Sequence, residues 1–198
     1  IRYPFSLYKD DPCWMPPLRC DERNSLSRET DSAFDHCSAQ CWLAERDGKI
    51  VGRIAGIVNR AYNELWKKRS ARFGWFDFID DDEVPAALLG AVEAWAQKQG
   101  LTEVHGPLGF SDMDREGMLI EGFEELGTMS TNYNHPYYPR HMERLGYEKD
   151  VDWLEYEITI PAEIPEKAIR AAKLAGERKG VRVLDARKPK DFLPYATA

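Results

Sequence analysis

Basic residues are the minority among the charges of this chain: 27 Lys and Arg stand against 34 Asp and Glu in 198 residues. The net charge of −7 and a pI near 5.2 exclude the clustered Lys and Arg footprint of a nucleic-acid binder. No apolar run approaches the roughly 20 residues that span a bilayer, so no membrane partner is expected. No basic stretch followed by an apolar one opens the chain, so no secretory signal is visible. A cytoplasmic location follows as the expectation. The first residue is Ile1 rather than Met, so an upstream piece is expected to be missing.

Cysteine is also scarce. Cys13 and Cys20 are spaced C-x6-C, and Cys37 and Cys41 are spaced C-x3-C beside His36. Structural zinc sites use short C-x2–4-C spacing twice, and only the second pair fits. Ordinary reduced thiols are the reading, with no disulfide and no metal. What the chain does have is 43% apolar residues and 12% aromatics, enough for a buried core.

The first 26 residues are aromatic and Pro-rich, and read as a short helix followed by an irregular loop. Cys41 to Glu45 and Ile50 to Asn59 are apolar runs separated by Arg46-Asp47-Gly48-Lys49. Asp-Gly suits a type I′ turn, whose two central residues need positive φ, so a hairpin is expected. Ala71 to Ile79, with Phe73, Trp75, Phe76 and Phe78, reads as a third strand. Asp80 to Pro85 announces a helix that runs to Gly100, with Val84, Leu88, Val92 and Trp95 at helical spacing. A short strand, Leu101 to His105, precedes a long Gly-rich loop from Leu108 to Pro136. Tyr137 to Leu145 is a short helix, and Asp152 to Ile160 alternates as a last strand. Residues 161–198 read as a linker and the first elements of a second domain: a helix over Glu163 to Lys179, a strand over Val181 to Leu184, and a helix from Lys190.

The order of these elements, together with several motifs, resembles the GNAT superfamily of N-acetyltransferases, and within it a bacterial branch with a second similar domain. The motifs are Tyr8-Lys9-Asp10-Asp11-Pro12, Gly48-Lys49-Ile50-Val51-Gly52-Arg53-Ile54, Gly106-Pro107-Leu108-Gly109-Phe110-Ser111, Glu121-Gly122-Phe123, Tyr133-Asn134-His135-Pro136-Tyr137-Tyr138 and Leu145-Gly146-Tyr147. The likeness covers residues 1–160. It implies an α+β fold: a mixed, mostly antiparallel twisted sheet flanked by helices on both faces. It also implies transfer of an acetyl or other acyl group from acetyl-CoA or a related acyl-CoA to a small-molecule amine. A second GNAT-like domain or a homo-oligomer is the partner it suggests.

On that resemblance the splayed third strand offers backbone groups to the pantetheine arm, which places Phe76, Phe78, Ile79 and Tyr137 at the acyl-CoA. Tyr138 stands as the candidate acid, with Glu121 and His105 as candidate bases. Ser111, Asn132 and Asn134 are candidate substrate contacts on the long loop. His135 and His141 read as surface residues. The sequence departs from the family where Asp80-Asp81-Asp82-Glu83 replaces a glycine-bearing phosphate loop, and where Met142 holds a place usually given to tyrosine. A degenerate, non-catalytic domain is therefore the alternative. A third reading is an acidic interaction module with the Gly-rich loop as its contact surface, which a large exposed apolar patch near Trp14, Phe34 or Trp42 would favour.

Overall fold

A computed structural model describes residues 1–181, 187–192 and 195. The strand expected over Val181 to Leu184 and the helix after Lys190 fall mostly outside them. The chain divides into two compact units, Ile1–Trp153 and Leu154–Ala198. The second contains helix α6 (Glu166–Lys179).

In the first unit, helices α1 (Pro4–Leu7) and α2 (Arg19–Ser25) precede strands β1 (Cys37–Arg46) and β2 (Lys49–Asn59). Helix α3 (Arg60–Trp66), strand β3 (Ser70–Phe78), helix α4 (Glu83–Lys98), strand β4 (Glu103–His105) and helix α5 (Tyr138–Arg144) follow. The sheet order is β1-β2-β3-β4. The first three strands are antiparallel and β4 joins β3 in parallel, so the sheet is mixed and mostly antiparallel, in an α+β fold. The turn between β1 and β2 has Asp47 at φ 52° and Gly48 at φ 74°, the positive pair that the Asp-Gly signal requires.

Alternation along β2 assigns the faces. A Cβ on Gly52 would meet Leu88 and Val84 of α4, and Ile54 packs into the same cluster with Leu88, Leu89 and Val92. The odd-numbered residues Arg53, Ala55 and Ile57 therefore look the other way. Register pairs share a face, so Asp77 opposite Arg53 and Arg72 opposite Ile57 lie on that second face. It is covered by Glu22 of α2, by Phe34 of a 3₁₀ turn and by the long loop at Phe110. Helices thus flank both faces.

Three expectations change. Asp152 to Ile160 forms no strand: Tyr156, Ile158 and Ile160 are 77%, 81% and 86% exposed. Alternation prepares a segment for pairing, but the ladder needs a partner edge, and none is supplied among the described residues. Helices α2 and α3 arise in segments that show no apolar periodicity, α3 through Asn59, whose side chain accepts from the Tyr62 N–H. The aromatics named above are half-buried rather than openly exposed, as Trp14 packs on Phe5 and Tyr8, Phe34 on Phe110 and Trp42 on Trp95.

Candidate functional site

Strands β3 and β4 pair over only three residues, Ser70 with Glu103 to Arg72 with His105, and then part. Beyond that point the free edge of β3 has other partners. Leu108 N–H donates to the Phe73 carbonyl at 2.8 Å. Phe78 N–H donates to the Tyr138 hydroxyl at 2.9 Å, and the Tyr137 hydroxyl donates to the Phe78 carbonyl at 2.5 Å. Two tyrosines of the α5 region thus bracket one backbone residue at the strand end.

Behind that edge lies a buried polar group. Asp77 and Arg53 are 7% and 9% exposed, and Arg53 Nε donates to Asp77 Oδ2 at 2.6 Å. Tyr8, 1% exposed, gives its one proton to Asp77 Oδ1 at 3.0 Å. A carboxylate only accepts, so the 2.9 Å contact between Tyr8 and Tyr138 is donated by Tyr138. Glu22 accepts from the Trp75 indole at 2.9 Å, and its carboxylate stands 3.9 Å from Arg53. Trp75 has φ +46°, in the left-handed region, at a register shift of the β2–β3 ladder. Non-glycine residues hold such values only where surrounding contacts compensate, and they concentrate at functional sites. Burial and the charge of Asp77 push the Tyr8 and Tyr138 hydroxyls well above the ordinary phenol range. Both are therefore protonated at neutral pH. Burial lowers the guanidinium pKa of Arg115, on the long loop, with Glu22 and Asp77 partly offsetting it.

The acidic run Asp80–Glu83 meets cations that are remote in sequence. Asp80 accepts from Arg140 at 2.9 Å and lies 2.7 Å from His141 Nε2. Asp82 lies 3.0 Å from His141 Nδ1 and accepts from Arg144 at 2.8 Å. Arg46 reaches Asp81 at 2.6 Å and Glu83 at 2.9 Å. The Arg46 hydrogen bond holds Asp81 down at about 2, and the His141 contact lowers Asp80. An open depression of about 380 Å³ is lined by Asp80, Asp81, Asp82, Arg140, His141 and Arg144. His141 is not a surface residue. It is 2% exposed, because the turn before α4 folds over α5 and receives both its ring nitrogens.

The other named residues separate into groups. Phe76 and Phe78 are buried, with their rings against Tyr138, and Ile79 and Tyr137 pack on the same cluster. Glu121 is exposed on the loop. His105 is half-buried at the end of β4, and burial together with the Arg72 charge lowers its pKa. Ser111 is exposed, and its hydroxyl accepts from Met113 N–H at 3.2 Å. Asn132 donates to the Gly117 carbonyl at 2.7 Å. Asn134, 4% exposed, accepts from Leu119 N–H and donates to the Leu119 carbonyl. Both Asn side chains are thus occupied in bracing the loop. The four cysteines are free thiols.

Sequence reading missed Glu22, Arg53, Asp77 and Tyr8. The one available signal was Arg53 and Asp77 at alternating positions inside apolar runs, where a charge breaks the pattern.

The chain is similar to two curated proteins. It is 40% identical over 156 residues to Protein YghO of Escherichia coli, covering 79% of this chain and 40% of that protein. It is 31% identical over 174 residues to the bacterial ceramide synthase of Caulobacter vibrioides, covering 87% of this chain and 45% of that protein. The chain thus spans less than half the length of these relatives. No protein-family model matches the chain, and no solved structure does. No helix among the described residues is long and apolar enough to cross a membrane.

Proposed function

We propose that this chain is part of a GNAT-like N-acyltransferase that moves an acyl group from an acyl-CoA thioester to an amine. The observation that carries the reading is the 31% identity over 174 residues to a bacterial ceramide synthase. A ceramide is the amide of a fatty acid and a long-chain amino alcohol, so the bond made is N-acyl. The α+β sheet supports the reading, with β4 pairing to β3 over only three residue pairs. In this reading Phe76, Phe78, Ile79 and Tyr137 border the acyl-CoA, and Tyr138 handles protons at the reacting centre. Arg46, Arg140 and Arg144 gather at the N-terminus of α4, where a phosphate would reach them only by displacing the carboxylates of Asp80–Glu83. Glu121, His105 and Ser111 stay as candidates for the acceptor side.

A second reading, a non-catalytic domain of the same kind, is favoured by one observation. The Phe78 backbone and the α4 cations are already engaged by groups of the chain itself.

Calorimetric titration with acetyl-CoA and with a long-chain acyl-CoA, followed by thiol release in the presence of a long-chain amine, tests both. Micromolar binding and amine-dependent thiol release are expected. Binding without release selects the non-catalytic domain, and no binding at millimolar ligand overturns the acyltransferase reading.

A further inference from the structure

The hydrogen bonds around Tyr138 have a direction. Phe78 N–H donates to its oxygen, Tyr138 donates to Tyr8, and Tyr8 donates to Asp77, which Arg53 holds by its other oxygen. Each donor after the backbone points inward, from the end of β3 toward one carboxylate. The alternative acceptor for Tyr138, the Phe78 carbonyl, is farther away at 3.4 Å and already takes the Tyr137 hydroxyl. Four buried polar side chains meet at the end of β3, where the Tyr138 ring also packs on Phe76 and Phe78 and the Tyr8 ring on Trp14 and His135. Buried polar chains of this kind fix one geometry, since any broken link leaves a group unsatisfied.

We infer that Tyr8 and Asp77, with Arg53 as clamp, are positioning residues that set Tyr138 as the entry of an inward proton relay ending at Asp77. The inference rests on the acyl-transfer reading above. In that reaction the amine nitrogen bonds to the acyl carbon and the C–S bond breaks, releasing a thiolate. The surplus proton on nitrogen passes to the Tyr138 oxygen. The proton of Tyr138 passes to Tyr8, and that of Tyr8 to Asp77, which becomes a carboxylic acid. The reverse sequence returns one proton to the thiolate, giving the free thiol and restoring the carboxylate. Amine and thioester have then become amide and thiol, with no other reactant. Tyr138 is 1% exposed, so the relay requires the ligand to displace the Tyr137–Phe78 hydrogen bond before the Tyr138 hydroxyl can be reached.

The test compares wild type with Tyr8→Phe, Asp77→Asn and Asp77→Glu in the full chain. Two readouts are taken: the pH profile of acyl transfer, and the ring-carbon NMR resonance of Tyr138 in tyrosine-labelled protein. Tyr8→Phe keeps its ring packing and is expected to lower kcat by about 10²-fold, with KM for acyl-CoA little changed. Its pH profile of acyl transfer should differ from that of wild type. The Tyr138 resonance should move in Tyr8→Phe with no substrate present. A wild-type pH profile in Tyr8→Phe, or an unmoved Tyr138 resonance, overturns the relay. An inactive wild type overturns the acyl-transfer reading instead, and the resonance still decides the hydrogen-bond chain. Should Asp77→Asn fail to fold, Tyr8→Phe alone decides.

Discussion

The two faces of the one sheet are built on opposite principles. Toward α4 the sheet is dry: Ile54, Phe73, Val84, Leu88, Leu89 and Val92 are at most 3% exposed, and their cluster is apolar. Toward α2 and the long loop it buries Arg53, Arg72 and Asp77. Apolar burial is non-directional and tolerates volume-conserving exchange. A buried ion pair tolerates much less, because removing one partner strands the other in a medium of low dielectric. The first face sets how stable the unit is, while the second sets where particular atoms stand. Candidate chemistry accordingly gathers on the second face and at the strand edge joining the two.

That contrast can be broken by substitution. The largest effect is expected from Asp77→Ala, which leaves Arg53 buried without its carboxylate and should cost about 3–5 kcal/mol in denaturant unfolding. Replacing the pair together, as Arg53→Met with Asp77→Leu, should recover most of that loss. If the double variant is as unstable as the single one, the ion pair is not what distinguishes the faces. On the dry face Leu89→Ala should cost about 2–5 kcal/mol by leaving a cavity, with no change in pH dependence. Gly52→Ala tests the closeness of α4. Its Cβ would sit 2.8 Å from both Leu88 and Val84 side chains, and overpacking of that kind costs roughly 1–3 kcal/mol.

The smallest expected effects belong to groups titrating near the exposed edges. His105 has a folded pKa below its ordinary value, so its contribution is complete above about pH 6.5 and fades as pH falls through the lowered value. His105→Gln should flatten the acid side of a stability profile measured by thermal melting. Asp81, held at about 2 by Arg46, acts in the same direction but lower, losing its contribution only as pH falls from the ordinary carboxylate range toward 2. Because that pair is exposed, high salt should weaken it, whereas the Asp77–Arg53 pair should change little.

The sequence carried its clearest messages where the cause is local. Asp47-Gly48 demanded positive φ twice and formed the hairpin, and Gly100 ends α4 at φ 75°. Three β-strands followed from apolar runs and aromatic bulk and α4 from helical spacing, because each signal is written over consecutive residues. Segment 152–160 alternates in sequence and yet forms no strand and stays exposed, since a strand also needs an edge to join.

Tyr137 and Tyr138 stood out in the sequence, but their shared task at Phe78 depends on a strand some 60 residues away. Nothing in the sequence pairs the acidic run Asp80–Glu83 with cations, since Arg46, Arg140 and Arg144 are distant along the chain. Folding brings them to the run, because β1 ends and α5 begins beside the turn that starts α4.

By itself, then, the sequence determined the hairpin, the long crossing helix and the absence of a span-length apolar segment from nearest-neighbour chemistry, and the class of fold through the order of its elements and the family they resemble. Only the tertiary structure decided that Tyr8, Arg53, Asp77 and Tyr138 form one hydrogen-bonded chain. Those four residues lie as far as 130 positions apart, and contact between them exists only after β2 and β3 are in register and α5 has closed on the strand edge.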